Sequence, residues 1–321
     1  MSQAKKIEIE KAEIMPGESK IISINVGRLP SDTLINIVAH IIRGKKEGPT
    51  VLILGGIHGD EVNGVEIVRR TIAENRLGII EKGTIIAIPL LNVYGFINFS
   101  REVPDGKDVN RSFPGSTSGS LASRVARTLT KKILPFVDYA IDFHTGGASR
   151  YNYPQVRYTK GYEDSRKLAE IFKAPFSIEN TVISNSFRKA CKELQIPSIV
   201  FEGGESIRLD GYSIDVGIKG ILRVVRHLKM TKEKPQVPDY NVITIKKTSW
   251  IRAPYSGMFI WSQSSGTYIK VGEPIGMIYD PFGTKSVTVT SKYEGYIIGH
   301  NNASVVNQGD ALFHIGYEIK S

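Results

Sequence analysis

Short apolar runs alternate with amphipathic segments over the first 230 residues, and this alternation constrains the fold more than any other feature of the chain. Residues 50–54 (TVLIL) form an apolar run that ends in Gly55-Gly56, which is typical of a buried strand. Residues 62–75 follow, with apolar side chains at helical spacing and charged side chains between them. The first unit is therefore predicted to be a strand, a glycine turn and a helix.

The same alternation continues along the chain. It predicts further strands at residues 20–26, 34–42, 84–90, 139–143 and 198–201, and helices at residues 121–134, 164–172, 186–194 and 216–230. Residues 91–118 are predicted to be a long irregular loop. Strands interleaved with helices favour an α/β domain with a mixed or largely parallel sheet flanked by helices. In such sheets, functional groups lie beyond the carboxyl ends of the strands.

The pattern changes after residue 230. Residues 231–240 (TKEKPQVPDY) are charged and contain prolines, as linkers often do. Beyond them, strand-like runs are separated by glycine turns and no helical period appears. We therefore predict two domains, a catalytic α/β domain over residues 1–235 and a small all-β domain over residues 241–321.

Composition and charge exclude several other classes of protein. The chain has 321 residues and a net charge of +10, but its basic residues are scattered and mixed with acidic ones, so we expect no nucleic-acid partner. No apolar run is long enough to cross a membrane, and no apolar segment follows the first lysines as in a secretory signal. A single cysteine, Cys191, rules out an internal disulfide and fits the cytoplasm. We expect this thiol to be buried and inert.

The segment from Gly55 to Glu61 (GGIHGDE) lies where a predicted strand ends and a helix begins. Its His58 and Glu61, three residues apart, can converge on one metal ion. A glycine-rich turn before a helix can instead bind a phosphate group. This segment alone does not decide between the two.

His144 favours the metal, because it also follows a buried strand (YAIDF) and would lie at the same edge of the sheet. Together with His58 and Glu61 it completes a set of two histidines and one carboxylate. Such a set leaves a zinc ion with an open position for water. A structural role for His144, as a core or capping residue, is the alternative.

Two further groups of residues complete the candidate site. Glu202 directly follows the apolar run SIVF and is suited to transfer a proton, whereas Glu205, two glycines further on, is expected in an exposed loop. In the loop, Arg101, Asn110 and Arg111 can clamp a carboxylate or can simply hold the loop together. Arg188, on a predicted helix, can reach the substrate, but we expect a surface position for it instead.

Four motifs in this order, HGDE from His58, DVNR from Asp108, DFHTG from Asp142 and FEGG from Phe201, closely resemble the succinylglutamate desuccinylase and aspartoacylase family. The resemblance covers roughly residues 30–230 and implies a zinc carboxypeptidase-like fold. It also implies one zinc ion per chain, bound by His58, Glu61 and His144, and a general base and acid in Glu202. Asn110 and Arg111 would then hold a substrate carboxylate, and Arg101 would stabilise the oxyanion.

The C-terminal segment has its own resemblance. Its glycine turns, RAPYSG from Arg252, KVGEP from Lys270 and YEGY from Tyr293, resemble the barrel-sandwich hybrid of biotinyl and lipoyl domains. The segment lacks the residues that flank a modified lysine in such carriers. We expect it to cap the catalytic cleft or to mediate contacts between copies of the chain in a homo-oligomer.

The function predicted from these features is that of a zinc-dependent amidohydrolase. It would cleave the acyl group from an N-acyl amino acid or a related small amine that carries a carboxylate. A metallocarboxypeptidase acting on short peptides would use the same residues and is the nearest alternative. A third hypothesis is an inactive carrier or adaptor in which the β domain is the working part.

Overall fold

The computed structural model describes residues 4–320 of the chain. Its helices are α1 (Val62–Ala73), α2 (Val93–Ile97), α3 (Leu121–Lys132), α4 (Glu163–Phe172), α5 (Phe187–Glu193) and α6 (Gly211–His227). Short 3-10 turns lie at Val109–Arg111 and Leu134–Phe136. None of these described helices is long and apolar enough to cross a membrane.

Strands precede, separate and follow the helices. Those of the first 230 residues are β1 (Ile7–Ile9), β2 (Ala12–Ile14), β3 (Ser19–Arg28), β4 (Leu34–Arg43), β5 (Lys46–Leu54), β6 (Lys82–Ile88), β7 (Tyr139–Gly146), β8 (Arg150–Thr159), β9 (Phe176–Asn180) and β10 (Ser198–Glu205). Those that follow are β11 (Ile243–Arg252), β12 (Gly257–Trp261), β13 (Tyr268–Ile269), β14 (Pro274–Tyr279), β15 (Ser286–Thr290), β16 (Gly295–Asn301), β17 (Val305–Val306) and β18 (Ala311–Lys320).

The central sheet is mixed, as predicted. Over the described residues its order is β13-β16-β18-β11-β9-β8-β10-β7-β5-β6-β4-β3. Strands β6, β5, β7 and β10 at its centre run parallel to one another. On either side of them, β4 runs antiparallel to β6 and β8 runs antiparallel to β10. The carboxyl ends of the central parallel strands therefore meet at one edge.

Helices cover both faces of this sheet. Helices α1, α4 and α6 pack on one face around Phe143, Phe172 and Phe201, and α3 and α5 pack on the other. Close packing on the first face requires glycine in α6, because a Cβ at Gly220 would lie 2.2 Å from Cζ of Phe172. Cys191 is fully buried, as predicted.

Several elements differ from the sequence prediction. The loop over residues 91–118 contains α2. Helix α6 begins at Gly211 rather than at Val216, because the Asp210 side chain accepts a hydrogen bond from the Ser213 amide and caps the helix there. Strands β8 and β9 were not predicted at all. β8 lies directly beside β10, the strand that carries Glu202, and β9 pairs with the other edge of β8. β8 therefore matters for the site.

All described elements beyond residue 241 are strands. Part of this segment forms a separate sheet, β15-β14-β12-β17, with its own core around Phe259 and Phe313. However, β11 pairs in parallel with β9, and β16 pairs with β8, so the central sheet continues into the C-terminal segment. The division into domains at residues 235 and 241 stays a prediction.

Candidate metal and catalytic site

The ends of three neighbouring strands bring the predicted site residues together. β7 and β10 are in register, with Glu202 opposite His144, and β5 on the other side of β7 leads into the turn that carries His58 and Glu61. All four side chains line one cavity at the carboxyl ends of these strands. The sheet edge predicted from the sequence is therefore the edge at which they meet.

The turn between β5 and α1 depends on its glycines. Gly56 has a φ of +61°, a backbone conformation that residues other than glycine rarely adopt. At Gly59, a Cβ would lie 1.9 Å from the carbonyl carbon of Gly95 in α2. The backbone of α2 thus packs directly against the turn and fixes His58 and Glu61 on either side of Gly59.

His58, Glu61 and His144 form a compact, buried cluster. The Nδ1 atom of His58 lies 2.8 Å from one carboxylate oxygen of Glu61, and the Nδ1 atom of His144 lies 2.7 Å from the other. The two Nδ1 atoms are 3.2 Å apart. Ligands about 2.0–2.1 Å from a tetrahedral zinc ion lie about 3.3 Å from one another, so the donor types and their spacing fit zinc.

Two more carboxylates lie beside the histidines. Oδ2 of Asp142 lies 2.8 Å from Nε2 of His144, and Oδ1 of Asp108 lies 3.2 Å from Nε2 of His58, which makes no hydrogen bond to any described residue. A carboxylate that accepts a hydrogen bond from the outer ring nitrogen keeps the proton there and leaves the other nitrogen able to bind a metal, as Asp142 would do for His144. Sequence reasoning gave neither aspartate a role, although both lie inside the motifs DFHTG and DVNR.

The electrostatics of the cluster favour a positive charge at its centre. Burial lowers the pKa of His144, but the carboxylates of Asp142 and Glu61 more than reverse this and raise it well above its usual value. Burial likewise raises the pKa of Glu61, but the charges of His58 and His144 outweigh it and hold that pKa far below its usual value. A cation bound here would therefore be held by fully ionised Glu61.

Glu202 stands beside this cluster and not in it. Its two carboxylate oxygens are held by Asn152, whose Nδ2 donates to Oε2 at 2.9 Å, and by Arg157, whose Nη1 lies 3.1 Å from Oε1. Both residues come from β8, the strand that was not predicted. Glu205 instead accepts a hydrogen bond from Asn302 at 2.7 Å. Glu202 is thus the carboxylate that faces the cavity beside the cluster.

The predicted loop residues line the cavity and also hold the loop in place. Arg101 donates to Asp108 at 2.9 and 3.1 Å, and its Nη1 lies 3.3 Å from Oε1 of Glu61. Oδ1 of Asn110 accepts a hydrogen bond from the Phe187 amide at 2.9 Å. Arg111 donates to the carbonyl oxygen of Asn110, one residue before it in the chain. The contacts show the residues holding the loop together, and their binding of a carboxylate stays a prediction.

The cavity has a volume of about 350 Å³ and is rich in arginine. Its charged lining residues, apart from the cluster, are Arg101, Arg111, Arg150, Arg157, Arg188, Asp142 and Glu202. This density of guanidinium groups favours an anionic ligand.

The prediction of a surface position for Arg188 was wrong. The residue is 7% exposed and lines the cavity, and one of its terminal nitrogens donates to the Thr181 carbonyl oxygen at 3.0 Å. The other, Nη1, has no hydrogen-bond partner among the described residues. Burial lowers the pKa of Arg188 to about 10, and the charge of Arg157 adds to the effect. A carboxylate bound in the cavity would give Nη1 a hydrogen-bond partner and would raise the pKa of Arg188 again.

Comparison with known proteins identifies a family for this chain. The family model described as the succinylglutamate desuccinylase/aspartoacylase catalytic domain matches residues 47–228. A curated relative, the N-alpha-acetyl-L-2,4-diaminobutyric acid deacetylase of Halomonas elongata, is 25% identical over 288 residues, which are 86% of this chain and 84% of the relative.

Solved structures show the same fold over nearly the whole chain. The crystal structure of a succinylglutamate desuccinylase/aspartoacylase from Rhodobacter sphaeroides has a TM-score of 0.83 and 23% identity, covering 98% of this chain and 99% of its own. A product-bound ectoine utilization protein from Ruegeria pomeroyi also has a TM-score of 0.83, with 22% identity over 94% of this chain and 97% of its own. The likeness includes the C-terminal β segment.

Proposed function

Because the chain belongs to the succinylglutamate desuccinylase/aspartoacylase family, we propose that it is a zinc-dependent amidohydrolase that removes the acyl group from an N-acyl amino acid or a related small amine. The observation that carries this proposal is the buried cluster of His58, Glu61 and His144 with Glu202 in the same cavity. The named activity of the curated relative, a deacetylase of an N-acetylated amino acid, supports it. A cytoplasmic location fits the single buried thiol.

The cluster, Glu202 and Arg101 each have a task in this reaction. His58, Glu61 and His144 would hold a zinc ion, which would supply Lewis-acid chemistry and lower the pKa of water toward neutral. Glu202, held by two donors from β8, takes a proton from the attacking water and returns it to the leaving amine. Arg101 faces the same cavity and donates to the oxygen that becomes negative as the carbonyl carbon turns tetrahedral.

The substrate class follows from the charge of the cavity. Asn110, Arg111 and Arg188 line it at the amino end of α5, and the free Nη1 of Arg188 offers a buried donor. We propose that these residues bind the carboxylate of the substrate, since a guanidinium and a carboxylate form charge-assisted hydrogen bonds. A small N-acylated amino acid carries both the amide and the carboxylate that the cavity requires.

A direct comparison of substrates tests this function. The purified protein with zinc would be given N-acetyl amino acids, beginning with N-acetyl-2,4-diaminobutyrate, and dipeptides that end in the same residues. We expect release of free amine from at least one N-acetyl compound at a rate well above that for its dipeptide. Faster cleavage of dipeptides would make the protein a carboxypeptidase, and cleavage of neither series would favour the carrier or adaptor hypothesis.

Replacing Arg101 with alanine tests its role. We expect kcat to fall by about 10²- to 10³-fold with little change in KM, because removing one donor to a developing oxyanion typically has this effect. Steady-state kinetics of both proteins on the same N-acetyl amino acid would measure it. A rise in KM with unchanged kcat would instead make Arg101 a binding residue. Arg69→Ala, at an exposed arginine of α1 that pairs with Glu66, is a matched control and should leave kcat and KM unchanged.

A further inference from the structure

One wall of the catalytic cavity comes from the C-terminal segment. Trp250 lies on β11, seven residues after Ile243, the residue at which β11 begins to pair with β9. It lines the same cavity as His58, His144 and Glu202. The C-terminal segment thus contributes a side chain to the site itself.

The indole of Trp250 is stacked on a second aromatic ring. His314, its cross-strand partner on β18, stacks on it with ring centroids 4.5 Å apart and an angle of 8° between the planes. Burial, together with the nearby charge of Arg157, lowers the pKa of His314 to about 3. The histidine is therefore neutral at physiological pH, and the stacked pair presents a flat, uncharged surface.

This surface is open toward the cavity. Trp250 is 36% exposed, and Ile183, which follows β9, is 49% exposed. Together with Val200 they are the apolar side chains of this lining among the described residues, and the rest is polar, charged or glycine. Exposed apolar side chains inside a charged cavity point to an apolar group on the ligand.

We propose that Trp250 is a specificity-determining residue. Its indole forms the wall against which an aliphatic part of the substrate packs, and it sets the upper limit on the size of that part. The aliphatic part is either the acyl chain or the side chain of the amino acid. This inference rests on the proposed function for its kinetic test, and a binding test separates the two.

The kinetic test uses two series of substrates. One series lengthens the acyl chain from acetyl to hexanoyl on one amino acid, and the other lengthens the amino-acid side chain under one acetyl group. In Trp250→Ala we expect the ratio of kcat/KM for the longest to the shortest substrate to rise by about 10-fold or more in one series, because one methylene in an apolar pocket changes this ratio by about 10- to 200-fold. The series whose ratio rises shows whether the acyl chain or the amino-acid side chain packs against Trp250.

Trp250→Phe, which keeps a flat wall, is the control, and its ratios of kcat/KM should stay within a few-fold of those of the wild type. Unchanged ratios for Trp250→Ala in both series would overturn the proposal.

The binding test does not depend on hydrolysis. The chain has two tryptophans, and Trp261 lies on β12, where its Nε1 donates to Asn302 outside the catalytic cavity. In the Trp261→Phe variant, tryptophan fluorescence therefore comes from Trp250 alone. We expect hexanoate to change this emission and to bind at least 10-fold more tightly than acetate. If calorimetry shows that hexanoate does not bind, or binds without changing the emission, Trp250 is not the wall. A positive result here with no hydrolysis of any N-acyl compound would refute the proposed function alone.

Discussion

Replacing Glu202 with glutamine is expected to lower kcat by about 10²- to 10⁴-fold while the metal content stays the same. An amide has the shape of the carboxylate but cannot take up the proton that the reaction transfers. The side chain would stay in place, because its oxygen can still accept a hydrogen bond from Arg157. Steady-state kinetics and elemental analysis of both proteins would measure the two effects.

The matched control for this substitution is Glu205→Gln. Glu205 lies three residues further along the chain and binds Asn302 instead of facing the cavity beside the cluster. We expect its kcat to stay within a few-fold of the wild type. If Glu202→Gln lost its metal, Glu202 would be a ligand and not the proton-transfer group. If both variants lost activity equally, the assignment of the base would be wrong.

Replacing His58 and His144 together with alanine is expected to abolish both hydrolysis and stabilisation by zinc. In the wild type, free zinc at about one hundred times its dissociation constant contributes about 2.7 kcal/mol to the free energy of unfolding, which raises Tm by roughly 5 °C. The double variant loses two of the three donors, so zinc should leave its Tm unchanged. Thermal unfolding with zinc and with a chelator would measure this difference.

A histidine outside the cluster provides the control. His227 is exposed near the end of α6, so His227→Ala should keep the activity and the response to zinc. Circular dichroism would confirm that the double variant is folded, and His58→Gln with His144→Gln offers a polar alternative if it is not. Equal stabilisation of the double variant by zinc would place the metal elsewhere.

The position of the site could be predicted from the sequence because it depends on a general property of parallel sheets. His144 and Glu202 each follow a short apolar run directly, and His58 follows one after a glycine turn. Runs of that kind become neighbouring central strands, whose carboxyl ends share one edge. Because two histidines and one carboxylate are typical zinc ligands, the residue types at this edge then predicted a metal site there. The metal itself and the roles of these residues stay predictions.

The strand that holds Glu202 could not be predicted in this way. β8 (RYNYPQVRYT) contains a proline and turns Asn152 and Arg157 toward the cavity, so it lacks the apolar pattern of a buried strand. Asn152 is buried and Arg157 is half-buried, and both contact Glu202. Hydrophobic periodicity predicts a buried strand only where apolar residues mark it, so a segment as polar as this one is predicted to be a loop.

Two further features depend on tertiary contacts that local patterns do not contain. Arg188 lies on a short helix with lysines around it, which resembles a solvated face, yet the fold buries it beside Arg157. Periodicity predicted the C-terminal strands but not their neighbours. It therefore gave no sign that β11 would join the sheet beside β9 and bring Trp250 into the cavity.

The central claim is that His58, Glu61 and His144 hold one catalytic zinc ion per chain. Elemental analysis of the purified wild-type protein, beside the His58→Ala and His144→Ala double variant, tests this claim most directly. We predict about one zinc per chain in the wild type and none in the double variant. A wild type that carries no metal, and takes up none when zinc is added, would contradict the claim and with it the proposed hydrolysis.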